Sequence, residues 1–118
     1  PGYADAHHNL GVVYHDKGMF DEAIAEYKKA IAINPKHANA HYNLGVVCYD
    51  KGMFDEAIVE YKKAIVISPN YAKAHYNLAV VYYYREQYGL AIEFYDRAIE
   101  LGDKVHPGFS KALKPHRE

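Results

Sequence analysis

Apolar residues recur along the chain at helical spacing. Near its start Leu10, Val13 and Tyr14 fall at i, i+3 and i+4, and a second stripe runs through Ala23, Ile24, Tyr27, Ala30 and Ile31. This spacing gathers apolar groups on one side of an α-helix. Lys17-Gly18 separates the two stripes, and a glycine just past a helix supplies the residue that closes it. Asp21 and Glu22 fall in the first turn of the second helix, where negative charge complements the helix dipole. Asn34-Pro35 and Ser68-Pro69 end the second stripes, because the residue before a proline is pushed out of the α region. The pattern predicts helices over 4–17, 20–33, 38–51, 54–67, 72–85 and 88–101. Helices of about 14 residues are marginal alone in water, so stacking must stabilise them.

The arrangement returns every 34 residues. Ala4 opens ADAHHNLGVVYHDKGMFDEAIAEYKKAIAINPKH and Ala38 opens ANAHYNLGVVCYDKGMFDEAIVEYKKAIVISPNY, which agree at 25 of 34 positions. Ala72 opens a more diverged unit, AKAHYNLAVVYYYREQYGLAIEFYDRAIELGDKV. The units therefore span 4–37, 38–71 and 72–105. A 34-residue period signals a repeated helix–turn–helix.

At fixed unit positions stand Leu10-Gly11, Leu44-Gly45 and Leu78-Ala79, then Tyr14, Cys48 and Tyr82, then Ala23, Ala57 and Ala91. Tyr27, Tyr61 and Tyr95 follow, and then Ala30, Ala64 and Ala98. This pattern resembles the tetratricopeptide repeat (TPR) over three full units. The departures are His7, His41 and His75 for a larger residue, Cys48 for tyrosine, and Gly102-Asp103 where the third unit should carry proline. The resemblance implies an all-α, right-handed superhelical solenoid of antiparallel helix pairs, in which small residues let helices cross closely. It says little about the partner.

Pro1-Gly2-Tyr3 reads like the close of a preceding unit, as in Pro35-Lys36-His37 and Pro69-Asn70-Tyr71. The chain is thus expected to be one domain cut from a longer array, with an open N-terminal end. In the tail, Phe109, Ala112 and Leu113 keep the register of a fourth unit, and Pro107 suits a first helical turn. A seventh helix over about 107–114 is expected to cap the last pair.

In TPR solenoids the first helix of each unit lines a concave groove. By that resemblance the first unit presents Asp5, His8, Asn9, Val12, His15 and Asp16. The second presents Asn39, Tyr42, Asn43, Val46, Tyr49 and Asp50, and the third Lys73, Tyr76, Asn77, Val80, Tyr83 and Tyr84. Helical spacing supports one face independently, since i, i+4 and i+7 align in His8-Val12-His15, Tyr42-Val46-Tyr49 and Tyr76-Val80-Tyr83. Tyrosine offers large rigid contact area with a hydroxyl, which suits binding. Asn9, Asn43 and Asn77 recur with the period, and amides can both donate to and accept from a peptide backbone. This row resembles the asparagine ladder in the TPR superhelix of O-linked N-acetylglucosamine transferases. Bonding within the scaffold, or simple duplication, would repeat the asparagines equally well.

The carboxylate clamp of chaperone-tail-binding TPR domains is a poor fit. Its five positions hold His8, Val12, Asn43, Lys73 and Asn77, of which Asn43 and Lys73 match, so most charge-assisted bonds to a terminal dicarboxylate are missing.

Composition narrows the function further. Lys+Arg 14 against Asp+Glu 15 argues against the basic stripe of a nucleic-acid binder and against a polybasic membrane anchor. No apolar run reaches the ~20 residues of a membrane span. Pro1 is not a natural start, so the true N-terminus is expected to be missing; a cytoplasmic location is favoured, and the compartment is otherwise unknown. A single cysteine, Cys48, excludes an internal disulfide and a multi-cysteine zinc site, and reads as a small buried apolar group. His8 and His15 lie about 10 Å apart along a helix, too far to share one zinc ion. His7, His41 and His75 read as packing residues, and no metal or other cofactor is expected. Glu26 with Lys29 and Glu60 with Lys63 read as solvated convex surface. Of the 13 tyrosines, Tyr14, Tyr27, Tyr61, Tyr82 and Tyr95 are assigned to the core.

No P-loop, dinucleotide fingerprint, zinc-protease motif or nucleophile elbow is present, so an enzyme is not expected. The reading is a scaffold that binds an extended peptide or a partner's helix, with Asp16 and Asp50 against Lys73 slightly favouring a basic or neutral segment. The alternatives are self-assembly by end-to-end stacking, which would give a homo-oligomer through the open end, and a substrate-presenting domain of a larger enzyme.

Overall fold

The computed structural model describes residues 2–117. Among them it is all-helical: α1 (Gly2–Asp16), α2 (Phe20–Ile33), α3 (Ala38–Asp50), α4 (Phe54–Ile67), α5 (Ala72–Tyr84), α6 (Tyr88–Glu100) and α7 (Pro107–Leu113), then a 3-10 turn, Lys114–His116. The expected helices are all present, with ends within two residues of those predicted. The chain forms two compact units, divided between Pro69 and Asn70. The first holds α1–α4 and the second α5–α7.

The start of α1 differs from expectation. Gly2 and Tyr3 continue the helix, whereas Pro35 and Lys36 form a turn. At Pro35 and Lys36, α2 has just closed at Asn34 and the chain must reverse into α3. Pro1 lies outside the described residues.

Each first helix closes the same way. Gly18 N donates to His15 O (2.9 Å) and Met19 N to Tyr14 O (2.9 Å), satisfying two end carbonyls with Gly18 at φ +74°. Gly52 at φ +77° repeats this closure. In the third repeat Glu86 takes the position at φ +60°, so a residue with a Cβ adopts the left-handed conformation. Gly102 closes α6 with the same bond pair, which explains how the third repeat ends without proline.

In the first unit α1 packs on α2, α3 on α4, and α2 on α3. Ala23, Ala30, Ala57 and Ala64 are fully buried beside Tyr27 and Tyr61. Gly11 and Gly45 face those rings so closely that an added Cβ would lie 2.6 and 2.7 Å from them. The small positions thus seat the tyrosines of the paired helix. Cys48 is buried as expected, and its thiol is pushed up to about 11 by burial and the nearby Glu60 and Glu56 carboxylates. Tyr14 is only half-buried. Leu10 and Val13 stay 40% and 47% exposed, while Leu44 and Val47 at the same repeat positions are buried.

In the second unit α5 packs on α6, and α7 on α6. Leu113 is fully buried. The Tyr95 hydroxyl shares a 2.5 Å hydrogen bond with Ser110 Oγ and accepts one from His106 N at 3.1 Å. Arg117 grips both carboxylate oxygens of Asp96 at 2.8 and 3.1 Å.

Candidate peptide-binding face

Each first helix carries a half-buried ring near its start and another near its end. In all three repeats both rings lean on an aromatic from the following helix of the same repeat. His8 lies 5.7 Å from Tyr27, Tyr42 lies 5.8 Å from Tyr61 and Tyr76 lies 6.2 Å from Tyr95, between ring centroids. His15 meets Phe20 at 5.6 Å, Tyr49 stacks on Phe54 at 5.5 Å and Tyr83 meets Tyr88 at 5.5 Å. Val12, Val46 and Val80 sit between the rings, also half-buried. The rings are fixed in place while part of each stays in solvent, which lowers the entropy cost of binding against them. Phe20, Phe54 and Tyr88, absent from the candidates the helix faces supply, recur every 34 residues, and that recurrence is the sequence signal of their bracing role.

Polar groups on this face are less free than their spacing suggests. In the first unit Asn43 Nδ2 donates to His8 Nε2 at 2.7 Å. His15 Nε2 lies 2.7 Å from Asp50 Oδ2. His37 Nδ1 accepts from Ala40 N at 3.1 Å, capping α3, and its Nε2 donates to Asp5 Oδ1 at 2.8 Å. One ring thereby closes a helix end and ties down α1. Burial lowers the basicity of His8, and the nearby His37 adds to this, consistent with a neutral ring accepting from Asn43. Of the three asparagines, Asn9 is exposed, Asn43 donates to His8, and Asn77 is half-buried. Asp16 and Asn39 are exposed on the same two helices.

In the second unit the tail covers part of the face. Tyr76 stacks on His106 at 3.9 Å and Phe109 meets its edge at 5.7 Å. Tyr83 contacts Phe109 at 5.6 Å, and His116 stacks on Tyr88 at 3.6 Å. Tyr76 and Tyr83, expected to line a groove, are thus partly occupied by their own chain. Lys73 and Tyr84 remain exposed.

Two convex carboxylates also depart from expectation. Glu26 is only 8% exposed, because His7 Nδ1 reaches it at 2.7 Å and Lys29 Nζ at 3.0 Å. These bonds hold the Glu26 carboxyl below its ordinary range, the His7 contact most strongly. Glu60 takes the same contact from His41 at 2.8 Å, and His41 Nε2 also donates to Pro35 O at 2.9 Å. The histidine that replaces a larger residue at this position thus holds a carboxylate on the paired helix. In the third repeat that carboxylate is Phe94, which lies 5.8 Å from the His75 ring.

The family pattern described as TPR repeat matches residues 13–52 and 45–84, and that described as tetratricopeptide repeat matches 72–102. The chain belongs to the tetratricopeptide repeat family. Among solved structures, this TPR chain is similar to MamA at 31% identity and a TM-score of 0.82, over 83% of this chain and 57% of that one. It thus spans little more than half of the MamA chain. It is also similar to YrrB, described as a TPR protein with an unusual peptide-binding site, at 28% identity and TM-score 0.78 over 84% of this chain and 51% of that one. The first TPR of Spaghetti, bound to the HSP90 peptide SRMEEVD, shares the fold at 21% identity and TM-score 0.88 over 95% and 89% of the two chains. No curated protein matches the chain. Among the described residues no helix is long and apolar enough to cross a membrane.

Proposed function

We propose that this TPR chain is a non-catalytic protein-interaction scaffold that holds an extended peptide against the α1 and α3 face of its first unit. One observation carries the reading. His8, His15, Tyr42 and Tyr49 are half-exposed rings, each braced by an aromatic of the neighbouring helix. Such rings gain contact area on binding at little entropic cost. Val12 and Val46 supply apolar contact between them. Asp16 is exposed at the C-terminal end of α1, and Asp50, whose second oxygen remains beside the one that His15 engages, is exposed at that of α3, so a neutral or basic peptide is preferred. Asn43 positions His8 through its amide nitrogen, which leaves its carbonyl oxygen as the group that can accept from a peptide. The HSP90 peptide bound to Spaghetti and the peptide-binding site described for YrrB support the same use of the fold. Lys73, Tyr76, Asn77, Val80, Tyr83 and Tyr84 offer related chemistry in the second unit, reduced by the tail.

Fluorescence anisotropy tests this with SRMEEVD and an analogue in which its three acidic residues are lysine. The basic analogue is expected to bind more tightly. Tyr49→Ala and Asn43→Ala should each weaken it by roughly tenfold, the cost of one lost anchor of ~1.4 kcal/mol. Thermal melts confirm that each variant folds. Unchanged affinity in both folded variants, or tighter binding of SRMEEVD, refutes the reading.

A further inference from the structure

The first two repeats differ at only nine positions, and two of the differences lie on the outer face of the second helix. Ala25 and Ala32 of the first repeat become Val59 and Val66 in the second, while the third carries Glu93 and Glu100 there. Val59 is 48% exposed and Val66 81% exposed. Valine has lower helix propensity than alanine, and neither side chain is buried in the core, so packing does not explain the exchange. Seven residues apart, the two valines stand about 10 Å apart on one side of α4.

They line a groove of about 610 Å³ between α2 and α4. Its other lining residues are Ile31, Pro35 and Ile67, His41 of α3, and Lys62 and Lys63. Among the described residues its lining holds no carboxylate. Glu60 is drawn toward His41 at 2.8 Å and lies 3.8 Å from Lys63 Nζ, which remains mostly exposed. Beyond Val59, the surface turns acidic with Asp55 and Glu56.

We propose that this groove docks an acidic amphipathic helix of a partner protein, away from the half-buried rings of α1 and α3 that form the peptide-binding face. Apolar side chains at i, i+3, i+4 and i+7 of that helix fit the spacing of Val59 and Val66. Its carboxylates lie over Lys62 and Lys63, and the acidic surface beyond Val59 fixes its direction by repulsion.

Two fluorescein-labelled helical peptides test the proposal. They share leucines at i, i+3, i+4 and i+7 and differ in carrying glutamates or lysines on the flanks. The glutamate peptide is expected to bind the intact chain and to weaken as salt rises; the lysine peptide is not. Val59→Ala with Val66→Ala restores the residues of the first repeat and preserves the helix, so it should fold and bind at least about tenfold more weakly. Lys62→Glu with Lys63→Glu should do the same. No binding of the glutamate peptide at ~1 mM, equal binding of both peptides, or unchanged affinity in the valine variant overturns the proposal. So does dimerisation of the chain that the valine variant abolishes, which would assign the groove to a second copy.

Discussion

Adding one methyl group at Gly45 tests how tightly the helix pairs close. In Gly45→Ala the new Cβ would lie 2.7 Å from Tyr61 Cε1 and 2.8 Å from Cδ1. Carbon atoms attract best at ~3.5–4.0 Å, so ring and helix must separate by about 0.7–1 Å. The ring cannot swing into solvent, since Tyr61 is 1% exposed and enclosed by the core. Overpacking of this kind costs about 1–3 kcal/mol, against a gain of about 1 kcal/mol from replacing glycine within a helix. The net expectation is a loss of about 1 kcal/mol, or roughly 3–5 °C in Tm for a chain of this size. The fold itself should survive, because the third repeat carries a fully buried Ala79 at this position. Gly89→Ala is the control: an added Cβ there meets nothing within 4 Å, so stability should rise by about 0.5–1 kcal/mol. Urea and thermal denaturation of both variants decide the matter. A Gly45→Ala protein as stable as the parent would refute the close-packing argument.

Two further outcomes follow from buried groups. With its thiol pushed up to about 11, Cys48 should react with iodoacetamide at pH 8 about 100-fold more slowly in the folded chain than in urea; equal rates would show that the site is open. For Glu26 the folded carboxyl is held below its value in the unfolded chain, so the unfolded state binds the extra proton. The resulting stability is complete above the ordinary value of 4.5 and is lost as pH falls through the folded value. Urea midpoints of the parent and Glu26→Gln should therefore differ at about pH 6 and converge in acid. A gap independent of pH down to 3 would contradict this. His8 acts in the same direction over a higher window, because its lowered basicity makes the folded state resist protonation below 6.5.

The sequence by itself determined the period, the seven helices, their boundaries to within two residues and the small positions that admit Tyr27 and Tyr61. These depend on local rules: apolar spacing, proline after a helix, glycine where φ turns positive. It also showed which residues share a first-helix face, because helical geometry fixes that regardless of surroundings. What each side chain does on that face depended on neighbours 19 to 35 residues away. His8 and Asn43 are separate groove candidates in the sequence and a hydrogen-bonded pair in the fold. Glu26 belongs to a charged stripe that reads as solvated, yet His7 on the facing helix buries it. Tyr76 and Tyr83 carry the spacing of groove residues, and the tail takes part of both. Leu10 and Leu44 occupy the same repeat position, but Leu44 is buried where α3 packs against α1 and α2, while Leu10 is 40% exposed. Burial and partnership are properties of packing, so a periodic sequence repeats the candidates while the tertiary structure assigns them different roles.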